Sequence, residues 1–209
     1  LFDRGKWAQW GSVLFGENST CAMMAKMSVR DEPSFCHYNL MILNSGSIVK
    51  ELFMNISAHF TLHEFINSPT AKAKGISNSP SGEHLKNLID LAQNILEPVR
   101  AHFNQPVKIN SGYRSPELNT AIGGSATSQH CNGQAVDFEI PGVSNKEVAD
   151  WITKNLQFDQ CILEFWVSGD VNSGWVHVSL KKSGNRKQKL VAFKNGKKTV
   201  YQIVKVYPD

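Results

Sequence analysis

One long stretch of the chain carries apolar residues at the spacing of an amphipathic helix. They recur at intervals of three and four positions, at Leu85, Leu88, Ile89, Ala92, Ile95, Leu96 and Val99. This period predicts a helix over residues 82–103 with one face in the core. We expect Ser79 or Ser81 to cap its start, and Pro98 to distort it because proline has no backbone N–H.

Two further helix starts are indicated by a hydroxyl residue three positions before a glutamate. Thr61 precedes Glu64 at this spacing, and Ser144 precedes Glu147. In a capping box the two side chains satisfy backbone N–H groups of the first turn reciprocally. The second pair predicts a helix over 144–156.

The second half of the chain is richer in strand patterns. Residues 134–140 alternate between apolar and polar side chains, and strands are also predicted over 107–110, 160–166 and 175–180. Helices come first and strands later, without regular alternation of the two. This order favours an α+β fold with an antiparallel sheet.

Basic residues are concentrated at the C-terminal end. Residues 181–209 hold nine Lys or Arg and one acidic residue, a net charge of +8, whereas the whole chain carries +4. Apolar runs on both sides of Asn195-Gly196 predict a β-hairpin there. Its lysines would prevent edge-to-edge pairing or would attract a polyanion such as a cell-wall polymer, and the hairpin pattern favours the first interpretation.

The composition changes near Met54, because all five methionines lie at or before that position. We therefore expect an N-terminal extension of unassigned role over 1–53 and a domain over 54–209, for which Met54 would be a natural start.

Cys21 and Cys36 could form a disulfide or remain free thiols. Four cysteines are too few for a disulfide scaffold, and the lack of an apolar run of about 18 residues excludes a membrane-spanning helix.

Three residues have the chemistry of metal ligands. His130 lies in a polar turn, Asp137 in an apolar strand, and His177 in a later strand. An ionised aspartate in an apolar strand is costly unless it is paired or bound to metal. Zinc accepts imidazole and carboxylate donors, and a catalytic zinc site uses three of them. From the residues alone, a metal site and an ordinary buried polar group both remain open.

These residues stand within a pattern that resembles a known family. The pattern runs through Ser111-Gly-Tyr-Arg-Ser-Pro, Leu118-Asn119, Gly123-Gly124, Ser128-Gln-His-Cys-Asn-Gly-Gln-Ala-Val-Asp-Phe and Trp175-Val-His-Val-Ser. It is similar to the zinc D-Ala-D-Ala carboxypeptidases, which share a superfamily with D-Ala-D-Ala dipeptidases, certain phage endolysins and the hedgehog signalling domain. The resemblance covers about residues 58–180.

The resemblance implies an α+β, hedgehog/DD-peptidase-like fold with a central antiparallel sheet and helices packed on one side. It also implies a Zn²⁺ peptidase acting on peptidoglycan stem peptides, with His130, Asp137 and His177 as zinc ligands. Arg114 would hold a substrate carboxylate or carbonyl oxygen, a task that suits its planar fork. Ser128 would donate a hydrogen bond near the site or orient His130, and Gly133 would allow a tight turn between the ligands.

The general base is the position at which the chain departs from the family. Members often carry a glutamate three positions before the last histidine ligand, or a histidine two before it, but here Gly174 and Trp175 stand there. Glu164 is the best substitute, because apolar neighbours on its strand would raise its pKa. A glutamate on the exposed face of that strand is the alternative. Asp159 and Asp170 are poorer candidates, since both are predicted at turns.

Other candidate residues are expected to have ordinary roles. Cys131 adjoins a ligand, but neighbouring residues point apart on an extended backbone. Two tryptophans, Trp166 and Trp175, line the cleft or pack in the core. The remaining histidines are expected on helices or the surface, at His59, His63, His84 and His102.

Three functional hypotheses follow: a zinc peptidase of the cell wall, a zinc-containing binding module without turnover, and a polyanion-binding protein that uses the basic segment. We expect no nucleic-acid partner, no membrane span and a monomer. The N-terminus lacks the order of a secretory signal. A wall enzyme must nevertheless reach the periplasm or the cell exterior, and a phage-encoded protein released at lysis would do so.

Overall fold

The computed structural model describes residues 54–208, which form six α-helices and one six-stranded sheet. The expected N-terminal extension over 1–53, with Cys21 and Cys36, lies outside these residues. Within the described part of the chain, no helix has both the length and the apolar character that a membrane crossing requires.

The helices are α1 (Leu62–Ile66), α2 (Pro69–Lys74), α3 (Glu83–Leu91), α4 (Glu97–Phe103), α5 (Pro116–Ala121) and α6 (Asn145–Asn155). A π-helical segment, Ala92–Leu96, joins α3 to α4, and a short 3₁₀ turn spans Gln129–Asn132. The strands are β1 (Lys108–Ser111), β2 (Ala135–Glu139), β3 (Gln160–Glu164), β4 (Trp175–Ser179), β5 (Gln188–Asn195) and β6 (Lys198–Ile203).

The predicted long helix exists as the continuous run from α3 to α4, but its start differs from the expectation. It begins at Glu83 after Gly82, whose φ is +55°, and no side chain caps it. The expected cap by Ser79 or Ser81 is therefore wrong, because a glycine in a conformation that L-residues avoid turns the chain into the helix instead.

The expected distortion lies directly before Pro98. The N–H of Glu97 bonds to the carbonyl of Ala92, five residues earlier, as in a π-helix. Proline cannot donate to the carbonyl of Asn94, so the regular hydrogen-bond pattern is already interrupted at this point.

The two expected capping boxes have different outcomes. The Glu64 carboxylate accepts hydrogen bonds from the Thr61 N–H at 2.7 Å and the Thr61 hydroxyl at 2.8 Å, so the start of α1 is confirmed. Ser144 occupies the N-cap of α6 as predicted, but its hydroxyl makes no capping bond.

The sheet has the strand order β1-β2-β4-β3-β5-β6. Every neighbouring pair is antiparallel except β3 and β5, which run parallel, so the expected antiparallel sheet is wrong at this one pair. Because β2 and β3 occupy both sides of β4, β5 cannot pair with β4, and it adds at the β3 edge of the sheet.

Asp159 fixes the direction in which β5 adds. It immediately precedes β3, its side chain is 0% exposed, and it accepts hydrogen bonds from the backbone N–H of Arg186 at 2.9 Å and from the Arg186 guanidinium. The Lys181 ammonium lies 3.0 Å from the same carboxylate. These contacts hold the β4–β5 connection at the start of β3, so that β5 begins at the same end.

Replacing Asp159 with asparagine is expected to lower the free energy of unfolding by about 2–3 kcal/mol at pH 7, because hydrogen bonds to a charged group are lost. Burial alone would raise the pKa of Asp159, but hydrogen bonds from Arg186 and Lys181 outweigh it and hold the pKa below its usual range. This contribution is therefore present above about pH 4 and disappears as the pH falls through the lowered pKa.

Urea unfolding at pH 7 and pH 3 measures this effect. Asp150→Asn is the matched control, because the Asp150 carboxylate pairs with Lys146 within the single helix α6, and an i,i+4 pair contributes less than about 1 kcal/mol. A difference between wild type and Asp159→Asn that is equally large at both pH values would contradict the argument.

The two faces of the sheet have different roles. The main core lies on one face, where α1, α3, α4 and α6 pack against alternate residues of β2, β3 and β4, among them Val136, Phe138, Leu163, Val176 and Val178. The intervening residues of the same strands point to the opposite face, where the polar groups of the site stand. A separate small apolar cluster of Ile162, Leu190 and Ala192 lies on that second face.

The C-terminal hairpin is confirmed and belongs to this sheet. Asn195 pairs with Lys198, so Gly196 and Lys197 are the central turn residues, one position later than predicted. Farther on, Tyr207 is buried and its hydroxyl donates a hydrogen bond to the carbonyl of Cys161 on β3, at 2.7 Å. The chain after β4 is thus packed into the domain.

Candidate active site

Three potential metal ligands converge on the open face of the sheet. Asp137 of β2 and His177 of β4 are direct partners across the two strands, so their side chains point the same way. His130 reaches them from the 3₁₀ turn that precedes β2. The His177 Nδ1 lies 2.8 Å from the Asp137 Oδ1, and the His130 Nε2 lies 3.3 Å from that oxygen and 3.3 Å from the His177 Nδ1.

These separations fit a tetrahedral zinc ion. With bonds of 2.0–2.2 Å, two ligand atoms of such an ion stand roughly 3.3–3.6 Å apart. Two of the three observed separations are 3.3 Å, and the third needs only a small widening. Within residues 54–208, these three are the group of His, Cys, Asp or Glu residues that could hold a metal ion.

A backbone carbonyl orients His130. Its Nδ1 lies 2.7 Å from the carbonyl oxygen of Gly112, which leaves Nε2 facing the other two ligands. Burial lowers the pKa of His130, which favours the neutral ring that a metal requires. The orienting role considered for Ser128 thus belongs to Gly112, while Ser128 lies in the wall of the cleft.

The position of Gly112 depends on its lack of a side chain. A Cβ there would stand 2.6 Å from the carbonyl oxygen of Phe65 in α1, which also accepts the Tyr113 N–H at 2.8 Å. Sequence reasoning missed the Gly112 carbonyl, because every residue has one. The only available signal was a glycine inside the motif that carries Arg114.

Arg114 contacts Asp137 directly. Its Nη2 donates to the Asp137 Oδ2 at 2.6 Å, and its Nε donates to the Ser111 hydroxyl at 2.8 Å. Burial alone would raise the pKa of Asp137, but the contacts with His130 and His177 outweigh it and keep the pKa low. A guanidinium has five N–H groups, so three remain for another ligand.

Glu164 lies on the same face, on β3 beside β4. Its partner across the strands is Trp175, and Ile162, on the same face of β3, pairs with His177. The side chain is only 8% exposed, which excludes the alternative of a glutamate on a solvent-exposed face. Burial, followed by the negative charge of Asp137, raises the pKa of Glu164 to about 7.

The surroundings of Gly174 exclude a glutamate from this position, which is three residues before His177. Its φ is +64°, and a Cβ would stand 1.9 Å from the carbonyl oxygen of Glu164. A glutamate cannot be accommodated there without moving β3. The same close approach brings the strand that carries Glu164 against the strand that carries His177.

Gly133 also meets the expectation of a tight turn. Its φ is +67°, and a Cβ would stand 2.3 Å from the carbonyl oxygen of His84.

Cys131 beside His130 is a half-buried free thiol and is not among the three grouped donors. Asp170 lies exposed in the β3–β4 loop, where it accepts the Asn172 N–H.

The other histidines lie on helices or at the surface, as expected, and of the two alternatives for Trp166 the structure shows core packing. His59 bonds to Glu97, and His102 of α4 stacks on Trp151. His84 lies on α3 against Tyr113, and His63 is exposed on α1. Trp166 packs against the main core.

A cleft with a volume of about 910 Å³ is lined by the three potential metal ligands together with Arg114, Ser128 and Glu164. Trp175 lines it, so the two tryptophans of the motif region have different roles. The C-terminal segment also contributes to the wall, which was not anticipated from the sequence. The residues it supplies are Arg186, Leu190, Thr199 and Tyr201.

Comparison with known proteins identifies the family of the chain. No curated protein matches the sequence. A family model described as Peptidase M15 matches residues 58–179, a span that includes Arg114, the three potential ligands and Glu164. Because this match covers more than half of the 209 residues, the chain belongs to the peptidase M15 family of zinc D-Ala-D-Ala peptidase-like enzymes.

Proposed function

We propose that the protein is a zinc-dependent peptidase that hydrolyses peptide bonds in the stem peptides of bacterial peptidoglycan. The observation that carries the proposal is the convergence of three metal-ligand atoms in a cleft that also contains a buried glutamate and an arginine with free donors. Membership of the M15 family supports a metallopeptidase. The choice of peptidoglycan rests on the resemblance to D-Ala-D-Ala peptidases.

The His130 Nε2, the Asp137 Oδ1 and the His177 Nδ1 would hold the zinc ion. Zinc in such a site acts as a Lewis acid and makes water nucleophilic near neutral pH. Gly112 fixes the ring of His130 through its carbonyl, and Arg114 fixes the carboxylate of Asp137. The ligand geometry is thus held by two groups that do not themselves bind metal.

Glu164 would take the proton of the attacking water and deliver it to the leaving amine. A pKa near 7 suits both transfers, because the group must accept a proton and release it at the same pH. Within residues 54–208 no group donates a hydrogen bond to its carboxylate, so the carboxylate is free to meet water and substrate.

Arg114 would bind the substrate. Its unused N–H groups match the planar geometry of a carboxylate or a carbonyl oxygen. Ser128, in the same wall, would add a hydrogen bond to the peptide backbone. Cleavage at a chain end or within a peptide would then depend on how far substrate extends along the cleft.

Metal analysis combined with digestion of purified peptidoglycan tests the proposal. We expect one zinc ion per chain, release of peptide fragments identifiable by mass spectrometry, loss of release after chelation and recovery with added zinc. Zinc without any product would favour a binding module, and a protein without zinc would contradict the proposal.

A further inference from the structure

The hairpin formed by β5 and β6 lies outside the span that matches the family, yet it borders the same cleft. The match ends at residue 179, whereas Leu190, Thr199 and Tyr201 line the cavity. This wall follows from the parallel pairing of β5 with β3, which places the hairpin directly beside the strand that carries Glu164.

Tyr201 stands in one cross-strand row with Glu164. Glu164 pairs with Ala192 on β5, and Ala192 pairs with Tyr201 on β6. Paired residues point to the same face, and neighbouring strands lie about 4.8 Å apart, so the two backbones are roughly 10 Å apart. Ala192 stands between them in this row, its side chain is a single methyl group, and both Glu164 and Tyr201 line the cavity.

The phenol of Tyr201 is available to a ligand. Its side chain is 54% exposed, and Tyr201 is among the residues that line the cavity. Partial burial, followed by the charges of Glu164 and Asp137, raises its pKa, so the hydroxyl keeps its proton and can donate at neutral pH. Within residues 54–208 no hydrogen bond occupies this hydroxyl.

Beneath this position the cleft has an apolar floor. Ile162 and Leu190 belong to the small cluster on the open face and both line the cavity. A floor of aliphatic side chains next to the Tyr201 hydroxyl suits a peptide segment with a small apolar side chain and a free backbone carbonyl.

We propose that Tyr201 is a substrate-binding residue that donates a hydrogen bond to the peptide backbone on the side of Glu164 away from the metal ligands. An extended peptide advances about 3.3 Å per residue, so the contact lies two or three residues from the cleaved bond. The inference rests on the proposed peptidase function. It implies a preference for peptides that extend beyond the cleaved bond on the hairpin side over those that end there.

The test compares wild type, Tyr201→Phe and Tyr201→Ala on synthetic peptides built around a D-Ala-D-Ala bond and lengthened one residue at a time at either end. With the longest peptides, Tyr201→Phe should lower kcat/KM about 3- to 10-fold, mainly through KM, and Tyr201→Ala should lower it further. With peptides too short to reach the hairpin, all three proteins should be equal. Zinc content should not change.

Phe193→Ala is the matched control, because Phe193 is an exposed aromatic residue of β5 next to Ala192 and so points to the other face. It should behave like wild type at every length. Equal kcat/KM for wild type and both Tyr201 variants on long peptides would overturn the inference, as would the same loss on short and long peptides.

A binding measurement separates this inference from the proposed function. If zinc-loaded wild type cleaves none of the peptides, the proposed activity fails, and calorimetric titration with the longest peptide then decides about Tyr201. Weaker binding by Tyr201→Phe would support the contact, whereas equal binding, or no binding by any form, would overturn it.

Discussion

Replacing Glu164 with glutamine is expected to stop hydrolysis while the zinc content stays that of wild type. Glutamine has nearly the same shape but can neither accept nor deliver the proton, and general acid–base groups contribute about 10²- to 10⁴-fold to rate. Glu164 is not among the three grouped metal donors, so the metal should remain. We expect kcat to fall about 10³-fold.

Although Glu164→Gln should lower activity, it should raise the free energy of unfolding of the metal-free protein above neutral pH. The folded protein raises the pKa of Glu164 from 4.5 to about 7, so the ionised carboxylate is disfavoured in the fold. Wild type therefore loses stability as the pH rises from about 4.5 through 7, and the glutamine variant does not. Metal-free Glu164→Gln should be more stable than metal-free wild type at pH 8, by roughly 1–3 kcal/mol, and equally stable at pH 4.

Peptide release, zinc analysis and thermal unfolding at the two pH values provide the measurements. Glu147→Gln is the control, because Glu147 is exposed on α6, which packs on the core face of the sheet. Unchanged turnover in Glu164→Gln would remove Glu164 from the mechanism, and lost zinc would show that it supports the metal instead.

Replacing His177 with alanine should remove both zinc binding and activity. The three donor atoms lie within 3.3 Å of one another. Removal of the His177 imidazole would leave only two of these protein ligands for the metal. We expect zinc affinity to fall at least about 10³-fold, since a structural or catalytic zinc site relies on three or four protein ligands. Competition with a chromophoric chelator gives the affinity, and peptidoglycan digestion gives the activity.

His63→Ala is the matched control for this second variant, since His63 is an exposed histidine of α1 outside the ligand group. It should bind zinc as wild type does. If His177→Ala retained the wild-type affinity, the metal would have to bind elsewhere, and the assignment of all three ligands would be wrong.

Local patterns in the sequence were sufficient to predict the parts of the site that depend on short-range structure. Strand alternation places Asp137, Glu164 and His177 on one face, since side chains on a strand alternate between its two faces. The capping pair Thr61 and Glu64 likewise acts within a single turn. Such features need no knowledge of distant contacts.

Long-range contacts and backbone groups could not be predicted in this way. The parallel pairing of β5 depends on the bonds of Asp159 to Arg186, which is 27 residues away. The orientation of His130 depends on the carbonyl of Gly112, and no residue type identifies a carbonyl. The position of Tyr201 in the cleft depends on the parallel pairing of β5 with β3, so it could not be predicted from the sequence either.

The pairing of β5 with β3 also determines the shortest segment of the chain that should fold without aggregating. A protein ending at residue 180 would contain the whole family match but would leave β3 as an unprotected sheet edge and would lose the buried Tyr207. Exposed backbone donors and acceptors on such an edge pair readily with other chains. Expression of the matched span alone should therefore yield aggregates, whereas a segment that continues through Tyr207 should remain dispersed.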